Sequence, residues 1–340
     1  MRLADFDFPF DPSLIAAHPA MPRDQARLLV VGRISGVLSH HRMADLPGLL
    51  RGGDLVVAND TKVLAARVAG RVADTGRVLD ILFVRDLGKG LWEVFLKGRL
   101  RSGQVLEINN DVRLVIVERS RDRTTVRMEE GAGTVADVMR TVGMMPLPPY
   151  IKRSPAAEDR EWYQTIFARS EGAIAAPTAG LHFTPELLAG LRKCGIDLTT
   201  VTLHVGPGTF RPVTSDRIEA HRMGAEFVEV SEQAARMIQD TKAQGGRIVA
   251  IGTTVTRALE SAAAVTGQVQ PFRGPTSLFI NPGYVFRAVD VLLTNFHLPR
   301  TTLLMLVSAF AGLERLREAY RIAVEERYRF YSYGDAMLIH

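Results

Sequence analysis

The stretch VDVLLTNFHLPRTTLLMLVSAF, residues 289–310, decides the fold class, because a short polar loop joins a strand-like apolar run to a helix-like one. Pro299 and Arg300 interrupt the apolar pattern, and Thr301 or Thr302 suits the N-cap of a following helix. The apolar part of that helix has about half of the roughly 20 residues that a membrane span requires. We therefore interpret it as a buried core helix with a polar loop at its mouth, which is the strand–loop–helix unit of an α/β domain.

The same unit recurs along the chain. The apolar strand-like runs are GGDLVVANDTKVL at 52–64, GAIAAPTAGLHF at 172–183, LTTVTLHVGPG at 198–208 and GRIVAIGTT at 246–254. The helical candidates that alternate with them lie at 185–195, 231–246, 254–265 and 301–328. This alternation predicts parallel strands with helices packed on the sheet.

Residues 65–130 have a different texture. Short β-type runs are separated by Gly, Asn or Asp about every ten residues, which is typical of an antiparallel barrel or sandwich. We predict an α/β domain, barrel-like or with a mixed sheet and helices, formed by residues 1–66 and 147–340. Residues 67–146 would form an inserted antiparallel β-barrel domain.

The bulk composition narrows the class of protein. The chain has 340 residues, a formal net charge of +5 and a pI near 9.5, which permits attraction to nucleic acid but also fits an ordinary solvated surface. A single cysteine, Cys194, excludes an internal disulfide and a cysteine-based zinc or iron–sulfur site. The N-terminal run MRLADFDFPFDP lacks the basic start and apolar core of a signal peptide. We expect a cytoplasmic monomer without a membrane segment.

Polar residues follow each apolar strand-like run. In open α/β folds, ligands bind beyond the carboxyl ends of the strands. One such ending is an ordinary loop or N-cap, but a succession of them predicts a concave polar site at one edge of the sheet. The residues in these endings are Asn59, Asp60, Thr61, Thr178, Gly180, His182, His204, Gly206, Gly208, Thr209, Arg211, Gly252, Thr253, Thr254, Arg257, Asn295 and His297.

The histidines in these endings suit general acid–base work or substrate binding near neutral pH. Each could instead be a satisfied core or capping residue, and His204, His221 and His297 could together bind zinc. The chain has no HxH pair and no HExxH motif, so we predict no metal. The loop HVGPGTFRP lacks P-loop and GxGxxG spacing. The motif GTTVTRALES could hold a carboxylate or phosphate at a helix N-terminus, or be a plain capped helix.

The connector GMMPLPPYIKR, residues 143–153, is stiffened by its prolines. It places Tyr150 close to Lys152 and Arg153. An aromatic ring beside two cations suits stacking and phosphate contact with single-stranded nucleic acid, although a plain linker would also carry such charges.

These motifs resemble one known family, the S-adenosylmethionine:tRNA ribosyltransferase-isomerases of queuosine biosynthesis. The resemblance runs nearly end to end and is weakest from about residue 68 to 140. It is carried by FDFPFDPSLIAAHPAMPRDQARLLV (6–30), GDLVVANDTKVLAAR (53–67), PLPPYIKR (146–153), APTAGLHFTPELL (176–188), VTLHVGPGTFRPV (201–213), GTTVTRALES (252–261), NPGYVFRAVDVLLTNFHLPRTTLLMLVSAFAG (281–312) and YRFYSYGDAMLI (328–339).

The resemblance implies a reaction. The ribosyl part of S-adenosylmethionine moves onto the 7-aminomethyl-7-deazaguanine base of a tRNA, in its anticodon stem-loop, to give epoxyqueuosine, adenine and methionine. It implies no metal and no cofactor, with S-adenosylmethionine as co-substrate, and it implies an α/β host with an inserted β-barrel.

Roles follow as hypotheses. We assign catalysis first to His297 with Asn295, then to His182 and His204, with Asp335 holding ribose hydroxyls or the amine. Gly252, Thr253 and Thr254 would hold the methionine carboxylate. Further substrate-binding candidates are Thr178, Gly180, Gly208, Thr209, Arg211, His221, Glu226 and Arg257. The candidates for tRNA binding are Arg23, Tyr150, Lys152, Arg153 and Arg300.

The chain departs from the family pattern at one point. Where the family usually reads His-x-Met-His-x-Glu, residues 221–226 read HRMGAE, so Gly224 replaces a histidine that is either dispensable or covered by His221. Two rival functions remain open. A non-catalytic RNA-binding module would bind tRNA through the β-rich insert without consuming S-adenosylmethionine, and a metal-dependent hydrolase would require zinc.

Overall fold

The computed structural model describes residues 1–109, 112–120, 123–129, 134–206, 213 and 215–340. The chain forms two compact units. The first consists of Met1–Lys62, Pro149–Arg153 and Gln164–His340, and the second of Val63–Pro148 and Ser154–Tyr163. The limits 67–146, which the sequence predicts for the inserted domain, stay a prediction.

The secondary structure alternates as follows. The strands are β1 (Arg27–Val31), β2 (Leu38–Arg42), β3 (Leu55–Asn59), β4 (Thr61–Val63), β5 (Arg67–Val72), β6 (Val78–Gly88), β7 (Leu91–Leu96), β8 (Val105–Glu107), β9 (Arg113–Arg119), β10 (Thr124–Met128), β11 (Ser170–Ala173), β12 (Asp197–Leu203), β13 (Glu226–Val230), β14 (Ile248–Ile251), β15 (Phe272–Thr276), β16 (Val291–Asn295) and β17 (Ala336–Ile339). The α-helices are α1 (Leu46–Leu49), α2 (Val135–Thr141), α3 (Asp159–Trp162), α4 (Pro185–Lys193), α5 (Glu232–Ala243), α6 (Gly252–Ala262), α7 (Thr302–Ala311) and α8 (Leu313–Glu325). Short 3₁₀ turns lie at Leu3–Phe6, Pro12–Leu14, Arg23–Gln25, Met43–Asp45, Thr178–His182 and Ile218–Ala220.

The first unit is built on a nine-stranded mixed sheet of order β15-β13-β12-β3-β14-β16-β17-β1-β2. Its centre is four parallel strands, β12, β3, β14 and β16. Every residue of β3, β14 and β16 is buried, as expected for strands that are covered by packing on both faces. The predicted α/β domain with a mixed sheet is thereby confirmed.

Helices cover both faces of this sheet. Buried side chains of α5, α6, α7 and α8 pack in one core with alternate strand residues such as Val57, Ala250 and Leu292. Buried side chains of α1 and α4 pack in a second core with the neighbouring residues Ala58 and Leu293. Successive side chains of a strand point to opposite faces, so the two cores lie on opposite sides of the sheet.

One predicted strand lies elsewhere. The run GAIAAPTAGLHF contributes only its first residues to β11, which pairs with β4 in a separate two-stranded sheet. The chain then turns at Pro177 into the 3₁₀ turn Thr178–His182. Proline has no N–H for a sheet ladder and restricts the residue before it, which explains why this apolar run leaves the extended ladder.

Helix α7 is a buried core helix, as the sequence predicts for this run. The Thr301 hydroxyl caps α7 by accepting a hydrogen bond from Leu304 N–H at 3.3 Å. Gly312, at φ +86°, separates α7 from α8, so the helical run predicted at 301–328 forms two helices. Within the residues that the structure describes, no helix is long and apolar enough to cross a bilayer.

A buried carboxylate fastens α6 to the segment that leads into β16. Glu260, near the end of α6, is fully buried and accepts hydrogen bonds from the N–H groups of Arg287, Ala288 and Val289 and from the Tyr284 hydroxyl, at 3.0–3.2 Å. Several N–H donors of this kind stabilise the charged form of a carboxylate, which offsets the cost of its burial.

The second unit contains a closed antiparallel barrel of order β10-β7-β6-β5-β8-β9. Closure leaves no free sheet edge. Inward residues such as Val68, Ile81 and Phe83 alternate with exposed ones. The sequence allows a barrel or a sandwich here, and the structure is a barrel.

Candidate active site

Polar side chains gather at the carboxyl ends of the four parallel strands. Asn59 ends β3, His204 directly follows β12, Gly252 directly follows β14 and Asn295 ends β16. Because the strands run parallel, these ends share one edge of the sheet.

Asn59 links three of these elements. Its amide NH₂ donates to the Leu203 carbonyl at 3.0 Å and to the Thr254 hydroxyl at 3.3 Å. Its amide oxygen accepts from the N–H groups of Thr61 at 3.0 Å and Leu203 at 3.1 Å. One buried side chain therefore fixes the end of β12 against the first turn of α6.

His204 is the half-buried histidine of this edge. Its Nδ1 lies 2.8 Å from the Thr61 hydroxyl, and its ring stacks on Phe227 with centroids 5.7 Å apart. Gly172 makes room for the ring, since a Cβ there would lie 2.9 Å from it. Burial lowers the pKa of His204, and the Asp60 carboxylate opposes that shift. The ring is therefore neutral at pH 7 and able to accept a proton.

His182 pairs with Asn295. The Asn295 NH₂ group lies 3.3 Å from His182 Nε2 and also donates to the Tyr331 carbonyl at 2.9 Å. Burial lowers the pKa of His182 to about 4, although Asp335 raises it, so the ring is neutral with Nε2 as acceptor and Nδ1 protonated. Within the described residues, the buried Asn295 Oδ1 has no hydrogen-bond partner.

His297 lies on the other side of the sheet. Its Nε2 is 2.8 Å from the Thr294 hydroxyl, and its backbone N–H donates to the Tyr320 hydroxyl at 2.7 Å. Thr294 and Asn295 are successive strand residues and point to opposite faces, so no described hydrogen bond joins His297 to the His182–Asn295 pair. Burial lowers the pKa of His297 to about 3.

The start of α6 meets the 3₁₀ turn Thr178–His182. Gly252 adopts φ +91°, and a Cβ there would lie 3.4 Å from the Ala179 methyl group. The N-cap residue Ile251 offers no side-chain hydrogen bond to the first turn of the helix. An 11-residue helix thus begins at this edge without a side-chain cap, close to His182.

A buried ion pair lies one turn further along α6. The Arg257 guanidinium bonds the Glu226 carboxylate through Nη1 and donates through Nε to the Leu278 carbonyl at 3.1 Å. Glu226 also accepts from Gly206 N–H at 3.0 Å. Arg257 Nη2 is buried without a partner among the described residues. His221 packs edge-on against Phe279, which follows Leu278 in the chain, with ring centroids 5.4 Å apart.

Asp335 is a buried clasp. It accepts from Arg27 N–H at 3.0 Å, from Arg329 N–H at 2.8 Å and from the Arg329 guanidinium at 3.1 Å. These contacts hold β1 beside the turn before β17. The assignment of Asp335 to ribose hydroxyls or the amine stays a prediction.

The candidates for tRNA binding are placed as follows. Tyr150 bonds the Ser332 hydroxyl at 2.5 Å, and its ring is perpendicular to that of Tyr331 at 3.8 Å. Arg153 Nε donates to the Ala17 carbonyl at 3.0 Å, and Lys152 is exposed. Two further candidates make specific contacts: Arg23 donates to the Gln164 carbonyl at 2.8 Å, and Arg300 pairs with Asp7.

Tyr331 is a further candidate site residue, which the sequence did not reveal. It adopts φ +72°, which is rare for a bulky residue, and it contacts both Tyr150 and Asn295. No spacing or composition signals such a conformation. Three predicted residues, Gly208, Thr209 and Arg211, lie outside the described residues. Within those residues, no group of three or more His, Cys, Asp or Glu side chains could hold a metal ion.

Comparison with known proteins gives concordant results. A family model described as "Queuosine biosynthesis protein" matches residues 3–339. The chain is 47% identical to an S-adenosylmethionine:tRNA ribosyltransferase-isomerase of Geotalea uraniireducens, over 100% of both chains. It is 49% identical to the protein of that name from Gluconacetobacter diazotrophicus, over 99% of this chain and 96% of the relative. The crystal structure of the S-adenosylmethionine tRNA ribosyltransferase of Thermotoga maritima is similar, with 35% sequence identity and a TM-score of 0.58. The match covers 99% of this chain and 100% of that chain.

Proposed function

The chain belongs to the S-adenosylmethionine:tRNA ribosyltransferase-isomerase family of queuosine biosynthesis, and on this premise we propose the reaction that it catalyses. It transfers and isomerises the ribosyl group of S-adenosylmethionine onto the 7-aminomethyl-7-deazaguanine base of tRNA. The products are epoxyqueuosine-tRNA, adenine and methionine. The gathering of His182, His204 and the start of α6 at one sheet edge is the observation that carries this proposal.

The reaction makes four chemical demands. The sulfonium centre acidifies the neighbouring C5′ hydrogens, so a base must take one of them. The departing adenine needs a hydrogen-bond donor, the attacking amine must be neutral, and the methionine carboxylate needs positive potential. Holding two substrates in register supplies much of the rate enhancement.

His204 is our candidate for the base. Its pKa is below the usual value for histidine, so the ring is unprotonated at neutral pH. Its Nδ1 is engaged by Thr61, which leaves Nε2 to accept the proton. His297, the first choice from sequence, stays a prediction for acid–base work; its pKa of about 3 and its place among packed residues suit a positioning role better.

The His182–Asn295 pair is our candidate for handling the purine. The neutral His182 offers an Nδ1–H donor, and Asn295 offers an oxygen that no described residue occupies. A purine needs such a neutral donor and acceptor, since adenine presents ring nitrogens beside an amino group. Thr178 and Gly180 lie on the same 3₁₀ turn as His182 and would line this end of the pocket.

The first turn of α6 is our candidate for the methionine carboxylate. The N–H groups of Gly252, Thr253 and Thr254 and the helix dipole favour an anion there. Arg257, held in place by Glu226, would offer a hydrogen-bond donor through Nη2, which has no partner among the described residues. Gly208, Thr209, Arg211, His221 and Asp335 remain candidates from sequence alone.

The remaining proposals concern cofactors, tRNA contacts, oligomeric state and cellular location. S-adenosylmethionine carries the ribosyl group and both leaving groups, so we propose that no metal or separate cofactor takes part. Tyr150, Lys152 and Arg153, with Arg23 and Arg300, would contact the anticodon stem-loop. We propose that the protein works as a monomer in the cytoplasm, where its tRNA substrate is found.

One assay tests the function. The protein is incubated with S-adenosylmethionine and tRNA bearing the aminomethyl base, and adenine, methionine and epoxyqueuosine are quantified. We expect equal amounts of the three products, resistance to chelators, and no adenine release with tRNA bearing guanine at that position. Binding of tRNA without adenine release would favour the RNA-binding module, and loss of turnover with a chelator would favour the hydrolase.

A further inference from the structure

The loops at one end of the β-barrel carry a concentration of cations. Antiparallel pairing brings the turn 73–77, the loop 97–104 and the paired strand ends at Arg119 and Thr124 to the same end of the barrel. We call this end the basic pole. Its described cations are Arg77, Lys97, Arg99, Arg101, Arg119 and Arg123.

Two arginines hold the central loop of the basic pole. Arg77 donates to the Arg99 carbonyl at 3.3 Å, and its guanidinium lies against Gly98. Arg119 donates to the carbonyls of Leu96 at 3.3 Å and Gly98 at 3.2 Å. The guanidinium groups and the loop backbone therefore form one connected surface.

Among the described residues, no carboxylate neutralises the charges of the basic pole. Elsewhere in the described part of the barrel, arginines pair with carboxylates: Arg67–Asp80, Arg85–Glu93 and Arg113–Glu107. None of the basic-pole cations lies within 4 Å of a carboxylate among the described residues. Asp74 is the one acidic residue in the described parts of these loops. Clustered like charges cost stability, which a polyanionic partner would offset.

The chemistry of the loops points to phosphates and not to bases. The segments 73–77 and 97–104, ADTGR and KGRLRSGQ, contain no aromatic residue on which a base could stack. Arginine forks match phosphate oxygens, and a patch of this kind recognises the backbone of folded RNA without reading its sequence.

We propose that the basic pole binds the phosphodiester backbone of the substrate tRNA. The inference rests on the proposed function, because that function supplies the RNA. It adds a second tRNA-binding surface, on the barrel, to the residues around Tyr150 in the first unit. The barrel would raise affinity for tRNA and leave the chemical step unchanged.

A charge-reversal variant of the full chain tests the proposal. The side chains of Lys97, Arg99 and Arg101 make no hydrogen bond or ion pair within the described residues, so reversing their charges should leave the fold intact. For Lys97→Glu/Arg99→Glu/Arg101→Glu we expect tRNA affinity to fall at least tenfold at about 0.1 M salt. The slope of log Kd against log salt should fall by about two to three, as expected for the loss of three phosphate contacts. The KM for S-adenosylmethionine and kcat at saturating tRNA should not change.

The matched control is Lys89→Glu/Arg127→Glu/Lys193→Glu, which changes the net charge equally at three exposed cations outside the basic pole that make no ion pair among the described residues. We expect less than a threefold effect on tRNA affinity, with thermal unfolding and circular dichroism reported for both variants. Equal losses in both variants, or no loss in the first, would overturn the proposal. The milder Lys97→Ala/Arg99→Ala/Arg101→Ala variant should weaken binding in the same direction, and unchanged binding there would also count against it.

Failure of the two proposals can be told apart. If the wild-type protein binds tRNA through the basic pole but never releases adenine, the proposed function fails and the RNA-binding surface stands. If adenine is released normally and the first charge-reversal variant binds tRNA like the wild type, only the basic pole is wrong.

Discussion

Asn295 selects one tautomer of the neutral His182 ring, because its NH₂ group lies 3.3 Å from His182 Nε2 and also donates to the Tyr331 carbonyl at 2.9 Å. The Tyr331 contact fixes which end of the amide faces His182. Nε2 must therefore accept, and the neutral ring presents Nδ1–H. A hydrogen-bond donor that stays neutral can stabilise a departing purine without drawing a proton from the attacking amine.

Replacement of His182 tests this pair. His182→Ala removes both the acceptor for Asn295 and the Nδ1–H donor, so we expect kcat to fall about 10²-fold or more, with correct folding. Adenine release under saturating substrates measures it. His40→Ala is the matched control, since His40 Nδ1 bonds the Tyr328 hydroxyl at 2.7 Å on strand β2. Near-native turnover of the His182 variant would remove that residue from the chemistry.

His204 should set the acid side of the pH–rate profile. Its pKa is lowered by burial, so kcat/KM should be level above about pH 6.5 and fall as His204 becomes protonated. His204→Gln should lower kcat/KM about 10²-fold and abolish this limb. Thr61→Val removes the partner of Nδ1 and should cost about tenfold, a loss comparable to one hydrogen bond. An unchanged acid limb in His204→Gln would assign the base elsewhere.

Protein stability should fall with acidification below about pH 6.5. The pKa values of buried His182 and His297 are lowered to about 4 and about 3, so both rings are neutral in the native state and become protonated more easily when unfolded. The contribution of these two histidines to the free energy of unfolding is fully present above their pKa in the unfolded chain. It is lost as the pH falls towards their pKa values in the folded protein, by up to about 1.4 kcal/mol per pH unit for each histidine. Urea unfolding between pH 4 and 7 measures the slope, which should be shallower in His297→Gln.

The Glu226–Arg257 pair should matter for both folding and binding. Glu226→Ala leaves a buried guanidinium without its carboxylate and should lower the free energy of unfolding by about 3–5 kcal/mol. A double-mutant cycle with Arg257→Ala should show strong coupling, measured by urea unfolding. The milder Glu226→Gln should raise the KM for S-adenosylmethionine, since it also weakens the contact with Gly206. A KM identical to wild type would separate this pair from the substrate.

Gly252 should tolerate no side chain. Its φ of +91° lies where residues with a Cβ are strained, and a Cβ would be in contact with the Ala179 methyl group at 3.4 Å. Gly252→Ala should destabilise the protein by about 1–3 kcal/mol and weaken S-adenosylmethionine binding. Gly245→Ala is a useful control, because Gly245 has a similar φ of +80° but open space around it, and it lies at the opposite end of β14 from the first turn of α6. Equal effects on substrate affinity would show that the start of α6 is not a binding element.

Local patterns predicted most of the architecture. Strand–loop–helix order identified β3, β12, β14 and β16, and their loops, because parallel pairing follows from such alternation. The pairing of β17 with β1 in parallel, with Leu28 opposite Ala336, joins distant parts of the chain and leaves no local signal. The apolar run before Pro177 was predicted to be a strand because hydrophobicity alone does not show that Pro177 has no N–H to donate to a neighbouring strand.

Side-chain direction limited the prediction of the site. Asn295 ends strand β16 and His297 lies two residues beyond it, yet their side chains lie on opposite sides of the sheet. The spacing of the two residues does not predict on which side the His297 ring lies. Asp335 looked available for substrate, but backbone N–H groups that cannot be identified from sequence use its oxygens. Tyr331 depends on an unusual φ that no pattern encodes.

The buried carboxylate of Glu260 has a consequence for substrate selection. It fastens the far end of α6 to the segment entering β16, so the helix that begins at Gly252 and the strand that ends at Asn295 behave as one rigid piece. The distance between the proposed methionine-binding end of the pocket, at the first turn of α6, and its proposed purine-binding end, at Asn295, is then fixed. A nucleoside with a shorter or longer side chain would reach only one of them.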